Sequence, residues 1–295
     1  MSPARILVFG RTGQVGSALS ALDGCGAQIT ALGRAEADLI NPSACIAAIK
    51  THHPDAVINA AAYTSVDAAE TDRDTARVIN AAAPAAMARF CAAQGIPFVT
   101  ISTDYVFSGK GTKPWTPTDL PDPQNTYGRT KREGEVAVAS AGGRYAILRT
   151  SWVVSAHGRN FITTMVTLGA SRDALAVVSD QIGAPTAAAN IAQACVTIAK
   201  TLVSEPEKSG IYHLSGTPHT TWADVARMVF SHASITCDVQ DIPTRDYPTA
   251  AARPLNSRLD CTTTRAAFGI SQADWRVSVA GIIDQLNDKN EVISA

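Results

Sequence analysis

Short apolar runs alternate with longer Ala-rich stretches along the first half of the chain. The runs fall at 6–10 (ILVFG), 28–33 (QITALG), 56–61 (AVINAA), 97–103 (PFVTIST) and 145–153 (YAILRTSWV). They are nearly continuous in apolar residues and often β-branched, the pattern of parallel strands covered on both faces. Between them, 14–22, 43–51, 74–94 and 126–140 are rich in Ala, Arg, Glu and Lys and read as helices. Strand–helix alternation implies βαβ crossovers and a doubly wound parallel α/β sheet. After about residue 155 the alternation loosens. Strand-like 175–180 and 211–216 flank a long helical stretch at 187–203, two further helices are predicted at 221–232 and 277–288, and the Pro-rich passage 243–254 reads as a loop. The expected organisation is a nucleotide-binding domain over 1–155, rejoined by the helix near 187–203, and a smaller substrate-facing lobe over 156–295.

Composition narrows the functional classes. With 46% apolar and 17% charged residues, the 295-residue chain can bury a sizeable core. Its 25 basic and 26 acidic residues nearly cancel, which gives no electrostatic reason to expect nucleic acid or an anionic membrane as partner. No stretch approaches the ~18 apolar residues that span a bilayer, and the N-terminal apolar run is too short for a signal peptide. The cysteines at 25, 45, 91, 195, 237 and 261 form no CxxC pair and have no metal-ligand spacing with the histidines. They read as small hydrophobes in a reducing compartment, so the expectation is a soluble, cytoplasmic protein.

The first candidate for chemistry is Gly10-Arg11-Thr12-Gly13-Gln14-Val15-Gly16, between the first strand and the first helix. A glycine triplet is weak alone but much stronger in this context. Gly10 permits the turn, Gly13 lets a pyrophosphate approach the backbone, and Gly16 lets helix and strand pack closely. The pyrophosphate then sits on exposed amides at the helix start, as in Rossmann folds. The second strand ends at Gly33-Arg34, where an NAD site places an acid on the ribose hydroxyls. Arg34 offers a guanidinium to a 2′-phosphate instead, which favours NADPH with NADH as the alternative; the bland reading is a solvated loop arginine. Asp38 and Leu39 are placed to flank the adenine.

The second candidate is Tyr127 and Lys131, four residues apart at a predicted helix start and so on one face. A Tyr of ordinary pKa near 10 is a poor acid–base group at neutral pH, and a nearby ammonium is expected to lower it. Thr103 closes the strand 97–103, at the edge of the sheet where ligands bind. His213 lies inside a β-like run and reads as a core histidine rather than a catalyst. Asp67, Glu70 and Asp72 read as a solvated helix start.

At this point the chain resembles the extended short-chain dehydrogenase/reductases and, within them, the dTDP-4-dehydrorhamnose reductase family. The resemblance is carried nearly end to end by FGRTGQVG at 9–16, NAAAYTSVDAAE at 59–70, ISTDYVFSG at 101–109, YGRTK at 127–131, RTSWV at 149–153, DQIGAPT at 180–186, IYHLSG at 211–216 and RPLNSRLD at 253–260. It implies NADPH-dependent reduction of a nucleotide-linked 4-keto-6-deoxysugar at C4. By this resemblance Tyr127 is the proton donor, Lys131 tunes it and holds the nicotinamide ribose, and Thr103 assists. Ala61, Ala62, Tyr63 and Thr64 would line the cofactor, and Val66, Asp104 and Trp152 would contact the sugar nucleotide. Independently, Trp152 follows a strand end, where an indole can wall a sugar site. Arg253 and Arg258 flank a Pro-Leu-Asn-Ser turn where two guanidiniums can grip a diphosphate.

Some members of the family hold Mg²⁺ at a dimer interface with carboxylates from two helices. The matching stretches here, Ser17-Ala18-Leu19 and Ala187-Ala188-Ala189-Asn190, carry none. A hard cation would lack charged ligands there, so no metal is expected, and the protein is expected to be a monomer or a dimer not bridged by metal. Two other functions stay open on these residues. One is epimerisation or dehydration of a nucleotide sugar, for which Asp104 beside Thr103 is suitably placed. The other is a non-catalytic subunit like the reductase-like partner of methionine adenosyltransferase.

Overall fold

The computed structural model describes residues 3–24 and 26–294, the side chains of 289–294 apart. Cys25 lies outside the described residues. Five strands of the first half, β1 (Ala4–Phe9), β2 (Ala27–Leu32), β3 (Ala56–Asn59), β4 (Phe98–Thr103) and β5 (Tyr145–Thr150), pair in parallel with Gly210–Leu214, here β6. The order is β6-β5-β4-β3-β1-β2. The chain leaves β1 first to one side and then to the other, so the carboxyl ends of β1 and β3 form the switch-point crevice where α/β sheets bind ligands.

Successive side chains of a strand point to opposite faces, and both faces of this sheet are covered. Ile6 and Val8 pack with Leu19 of helix α1 (Gln14–Ser20) and with Ile191, Cys195 and Ile198 of the helix Ala188–Ser204. Leu7 and Phe9 face Ile49 of helix α2 (Pro42–His52) and Met87 and Cys91 of helix α3 (Ala83–Gln94). Val138 of helix α4 (Thr126–Ser140) joins this second face. Burial on both sides is why β1 and β3 read as nearly unbroken apolar runs; the edge strand β2 alternates, with Gln28 and Thr30 exposed. The doubly wound class and the return of the 187–203 helix to the sheet follow the expected pattern.

The strand at 210–214 differs. It was placed with the smaller lobe, yet it is the edge of the main sheet, paired with β5 from Gly210↔Ala146 to Leu214↔Thr150. An isolated apolar run does not say which sheet it joins, and a short link after Ala188–Ser204 delivers this one beside β5. The remaining segments build their own apolar cluster. It comprises Ile162 and Met165 from Phe161–Gly169, Leu175 and Val177 from Ala174–Val178, Val225 and Val229 from Trp222–His232, and Val279 and Ile283 from Trp275–Ser294. Two elements of this lobe have no clear sequence signal. Phe161–Gly169 is rich in β-branched residues, but Asn160 and Thr163 form a reciprocal capping box at its start. Asp238–Ile242 is mostly polar and exposed, and becomes a strand by pairing with Ala174–Val178.

Cys45, Cys91, Cys195 and Cys261 are buried and unpaired, and Cys237 is half-buried. His213 is fully buried; its Nδ1 lies 3.0 Å from the Trp115 carbonyl, and burial with the nearby Arg149 charge holds it down at about 4, so it is neutral. Among the described residues no helix is long and apolar enough to cross a membrane.

Candidate active site

The glycine loop has the geometry its sequence suggests. Gly10 has φ +102°, and a Cβ there would meet the Ala61 amide nitrogen at 2.8 Å. A Cβ on Gly16 would come to 1.8 Å from the Gly10 carbonyl oxygen, so α1 rests directly on the turn. Gly13 meets only the Gly10 carbonyl, at 3.5 Å, and as N-cap of α1 it leaves the first amides of the helix without a side-chain partner. These amides form a cradle for a pyrophosphate.

A cleft of about 710 Å³ opens from this loop along the carboxyl ends of the strands. It is lined by Gly10, Thr12, Gly13, Gln14 and Val15, by Arg34, Asp38 and Leu39, and by Ala61, Ala62, Tyr63, Thr64 and Val66. Thr103, Asp104, Tyr127, Lys131 and Trp152 complete the wall. Gly16 lies beneath the loop rather than on the cleft. Arg34 is exposed at the rim. Beside it, Arg11 pairs with Glu36 at 2.8 Å, and Glu36 also accepts from the Gly33 amide. The donor set suits a reduced dinucleotide: uncapped amides at the glycine loop would hold a pyrophosphate, and the exposed Arg34 guanidinium would take a 2′-phosphate.

The segment 61–66 is irregular, and buried Asn80 fixes it. Its amide accepts from the Tyr63 N–H at 2.8 Å and donates to the Tyr63 carbonyl and to Thr130 Oγ1. Asn80 reaches this position from a π-turn, Val78–Ala82, just before α3. Such bulges often occur at functional sites.

Helix α4 carries Tyr127 and Lys131. Asn125 caps it by accepting from the Gly128 amide at 2.8 Å, a bond worth about 1 kcal/mol. Glu70 accepts from both the Thr126 amide and the Thr126 hydroxyl, at 2.7 and 2.9 Å. Glu70 is therefore not part of a solvated helix start. The loop 65–72 folds back, so its carboxylates find partners distant in sequence: Glu70 on Thr126, Asp72 on the Tyr63 hydroxyl, Asp67 on Arg253. A Cβ on Gly128 would stand 2.2 Å from the Tyr105 carbonyl, and this close approach sets Tyr127 edge-on to Tyr105 with centroids 5.5 Å apart.

The electrostatics differ from the simple Tyr–Lys picture. Burial raises the Tyr127 phenol above its ordinary pKa; the Thr103 hydroxyl pulls the other way, and the Asp104 charge adds a smaller rise. The lowering expected from Lys131 is not found: burial dominates the Tyr127 phenol, and the Lys131 ammonium donates to the Ile101 carbonyl at 2.7 Å. Burial lowers Lys131 to about 8. Tyr127 thus holds its proton throughout the neutral range. Thr103 Oγ1 donates to Asp104 Oδ1 at 3.1 Å, and burial pushes Asp104 up to about 6 against the Ser257 and Thr103 hydroxyls. Asp104 Oδ2 has no partner of good hydrogen-bond geometry.

Trp152 adopts φ +50° at the cleft and stacks on Trp222 of the smaller lobe at 3.7 Å. Arg253 and Arg258 do not line the cleft. Arg253 pairs with Asp67 at 2.6 Å, and Arg258 donates to Asn256 Oδ1 at 2.9 Å. The sequence placed two cations on one turn but could not show that each has a protein acceptor. Sequence reasoning also missed Tyr105, Ser102, Thr150, Ser151 and Arg159 on the cleft wall. Thr150 and Ser151 adjoin Trp152 and were discoverable from the strand end; Arg159 sits in an irregular loop with no local signal.

The model of the RmlD substrate binding domain matches residues 4–288. A dTDP-4-dehydrorhamnose reductase of Sinorhizobium fredii is 41% identical over 285 residues, covering 95% of this chain and 96% of that protein. One from Escherichia coli K12 is 38% identical, covering 95% and 97%. A crystal structure of dTDP-4-dehydrorhamnose reductase from Bacillus anthracis in complex with NADP has a TM-score of 0.89 at 34% identity, over 96% of this chain and 100% of that one. Similarity of this extent makes the chain a member of the RmlD substrate binding domain family, the family of the dTDP-4-dehydrorhamnose reductases.

Proposed function

We propose that this chain reduces the C4 ketone of dTDP-4-dehydro-6-deoxy-L-mannose with NADPH to give dTDP-L-rhamnose. The observation that carries the reading is the convergence of Thr103, Tyr127 and Lys131 on the cleft that begins at the glycine loop. When bound, the reduced nicotinamide supplies the hydride. The protein supplies the proton and the geometry. Tyr127, protonated at working pH, donates its phenolic proton to the oxygen that was the ketone. Thr103, once its hydroxyl turns from Asp104, donates to the same oxygen and orients it. Lys131 holds the ribose next to the nicotinamide and keeps a positive charge near the developing oxyanion. Asp104 accepts from a sugar hydroxyl, and Trp152, backed by Trp222, walls the sugar. Arg253 reaches a diphosphate only when its pair with Asp67 opens.

We place the protein in the cytoplasm, with a sugar nucleotide rather than nucleic acid or membrane as its partner, and as a monomer or a dimer without bridging metal. The test is NADPH oxidation over a panel of dTDP-, UDP- and GDP-linked 4-ketosugars, with the product sugar identified by NMR. The reading requires the dTDP sugar to be turned over with the highest kcat/KM and rhamnose to be formed. A product epimerised or dehydrated without net NADPH consumption would replace it.

A further inference from the structure

Directly behind the cleft lies a buried ionic cluster that the reaction above does not use. Glu135 sits one helical turn beyond Lys131 on the same face of α4, and its carboxylate is 2% exposed. It accepts four hydrogen bonds: from Ser102 Oγ at 2.6 Å, from Arg149 Nε and Nη2 at 2.8 and 2.7 Å, and from Arg132 Nη1 at 3.1 Å. Arg149 on β5 is itself buried. Its guanidinium lies over the Phe107 ring at 4.9 Å and reaches the Pro117 carbonyl and His213 Nε2.

The connections run to the catalytic strand. Lys131 Nζ holds the carbonyl of Ile101 and Glu135 holds the hydroxyl of Ser102, so two residues one turn apart on α4 grip two consecutive residues of β4. The next residue is Thr103. A buried pair of this kind is weak support for stability, since well-packed apolar residues often do as well. Its place one turn from Lys131 and one residue from Thr103 suggests a different role.

We propose that Glu135, clamped by Arg149, is a positioning residue: its negative charge keeps Lys131 a cation, and its bond to Ser102 keeps Thr103 in register with Tyr127. The inference rests on the reductase reading only for its effect on turnover. Burial favours the neutral amine of Lys131, and the Glu135 charge opposes that loss. The charged and titratable groups facing Glu135 are Arg149 from β5, His213 from β6, and Lys131 and Arg132 from its own helix; Asp260 faces His213 from the segment after β6. His213 is neutral in the working range, so the Lys131 response reports the carboxylate.

The experiment separates charge from shape. Glu135→Gln keeps the shape and removes the charge; Glu135→Asp keeps the charge and shortens the reach. Two readouts are taken: the pH profile of kcat, and the pH dependence of Lys131 acetylation by acetic anhydride in the ligand-free protein, followed by mass spectrometry. In Glu135→Gln, both the alkaline limb of kcat and the acetylation midpoint should fall by about one pH unit, a tenfold loss of proton affinity. In Glu135→Asp, the midpoint should stay at the wild-type position while kcat drops severalfold. A Gln variant whose midpoint and limb superimpose on wild type overturns the proposal. If Glu135→Gln lacks the wild-type melting transition, Glu135→Asp decides alone: a kcat equal to wild type overturns the proposal, and a severalfold loss at an unchanged midpoint supports it. The acetylation readout needs no substrate, so failure of every ketosugar to react would refute the proposed function and still leave Glu135 tested.

Discussion

Replacing Tyr127 with Phe isolates a single proton. The Phe ring keeps its edge contact with Tyr105 and the close approach at Gly128, and the Asn125 cap on α4 is untouched. The change should therefore cost less than about 1 kcal/mol of stability, the scale of one modest hydrogen bond. It removes the phenol that burial holds protonated. General acid catalysis is worth about 10²–10⁴-fold, or roughly 3–5 kcal/mol at about 1.4 kcal/mol per decade. The kcat for the dTDP 4-ketosugar should fall by that factor, and the Kd for NADPH, read by fluorescence titration, should stay within about twofold. The wild-type pH profile provides a second check. Tyr127 contributes no limb near neutrality, because its proton leaves only at strongly alkaline pH. Lys131, lowered to about 8 by burial, is a cation below that pH and neutral above it, so activity should fall as pH rises through about 8. Turnover by Tyr127→Phe within a factor of two of wild type would eliminate Tyr127 as the donor. So would a loss of kcat/KM matched by an equal loss of NADPH affinity.

Arg34→Ala should weaken NADPH binding about tenfold and leave NADH binding nearly unchanged, because the exposed guanidinium at the end of β2 is assigned to the 2′-phosphate; titration with both cofactors checks this, and equal losses would reject the assignment. Gly16→Ala forces a Cβ to within 1.8 Å of the Gly10 carbonyl, so α1 must retreat from the loop; a thermal melt should show a loss of about 1–3 kcal/mol, and NADPH affinity should drop with it. Activity should survive EDTA, and Mg²⁺ should not promote dimerisation, since Ser17, Ala18 and Leu19 and the alanines at 187–189 offer no carboxylate. Sedimentation velocity and the reductase assay, each with EDTA and with excess Mg²⁺, decide this, and a Mg²⁺-dependent dimer would refute it.

Features that depend on neighbours within one or two turns were legible in the amino-acid order. The apolar runs of β1 to β5 declared themselves because the strands of a sheet covered on both faces are mostly apolar, the buried polar exceptions such as Asn59, Ser102, Thr103 and Arg149 lying toward their carboxyl ends. The glycine loop was legible because its three glycines lie within seven residues between a strand and a helix, and Gly16 packs directly on the Gly10 carbonyl. Tyr127 and Lys131 were placed together by the helical period alone. The tertiary structure decided what depends on partners tens to nearly two hundred residues away. It gave Gly210–Leu214 to the main sheet, since an edge strand is defined by its neighbour β5. It made a strand of polar Asp238–Ile242 by offering it Ala174–Val178. It turned Glu70 from a solvated acid into a cap on Thr126, and it paired Arg253 with Asp67 across 186 residues. It also reset the chemistry of Tyr127, because a phenol's proton affinity follows its burial first, and spacing from a lysine does not reveal how deeply the phenol is buried.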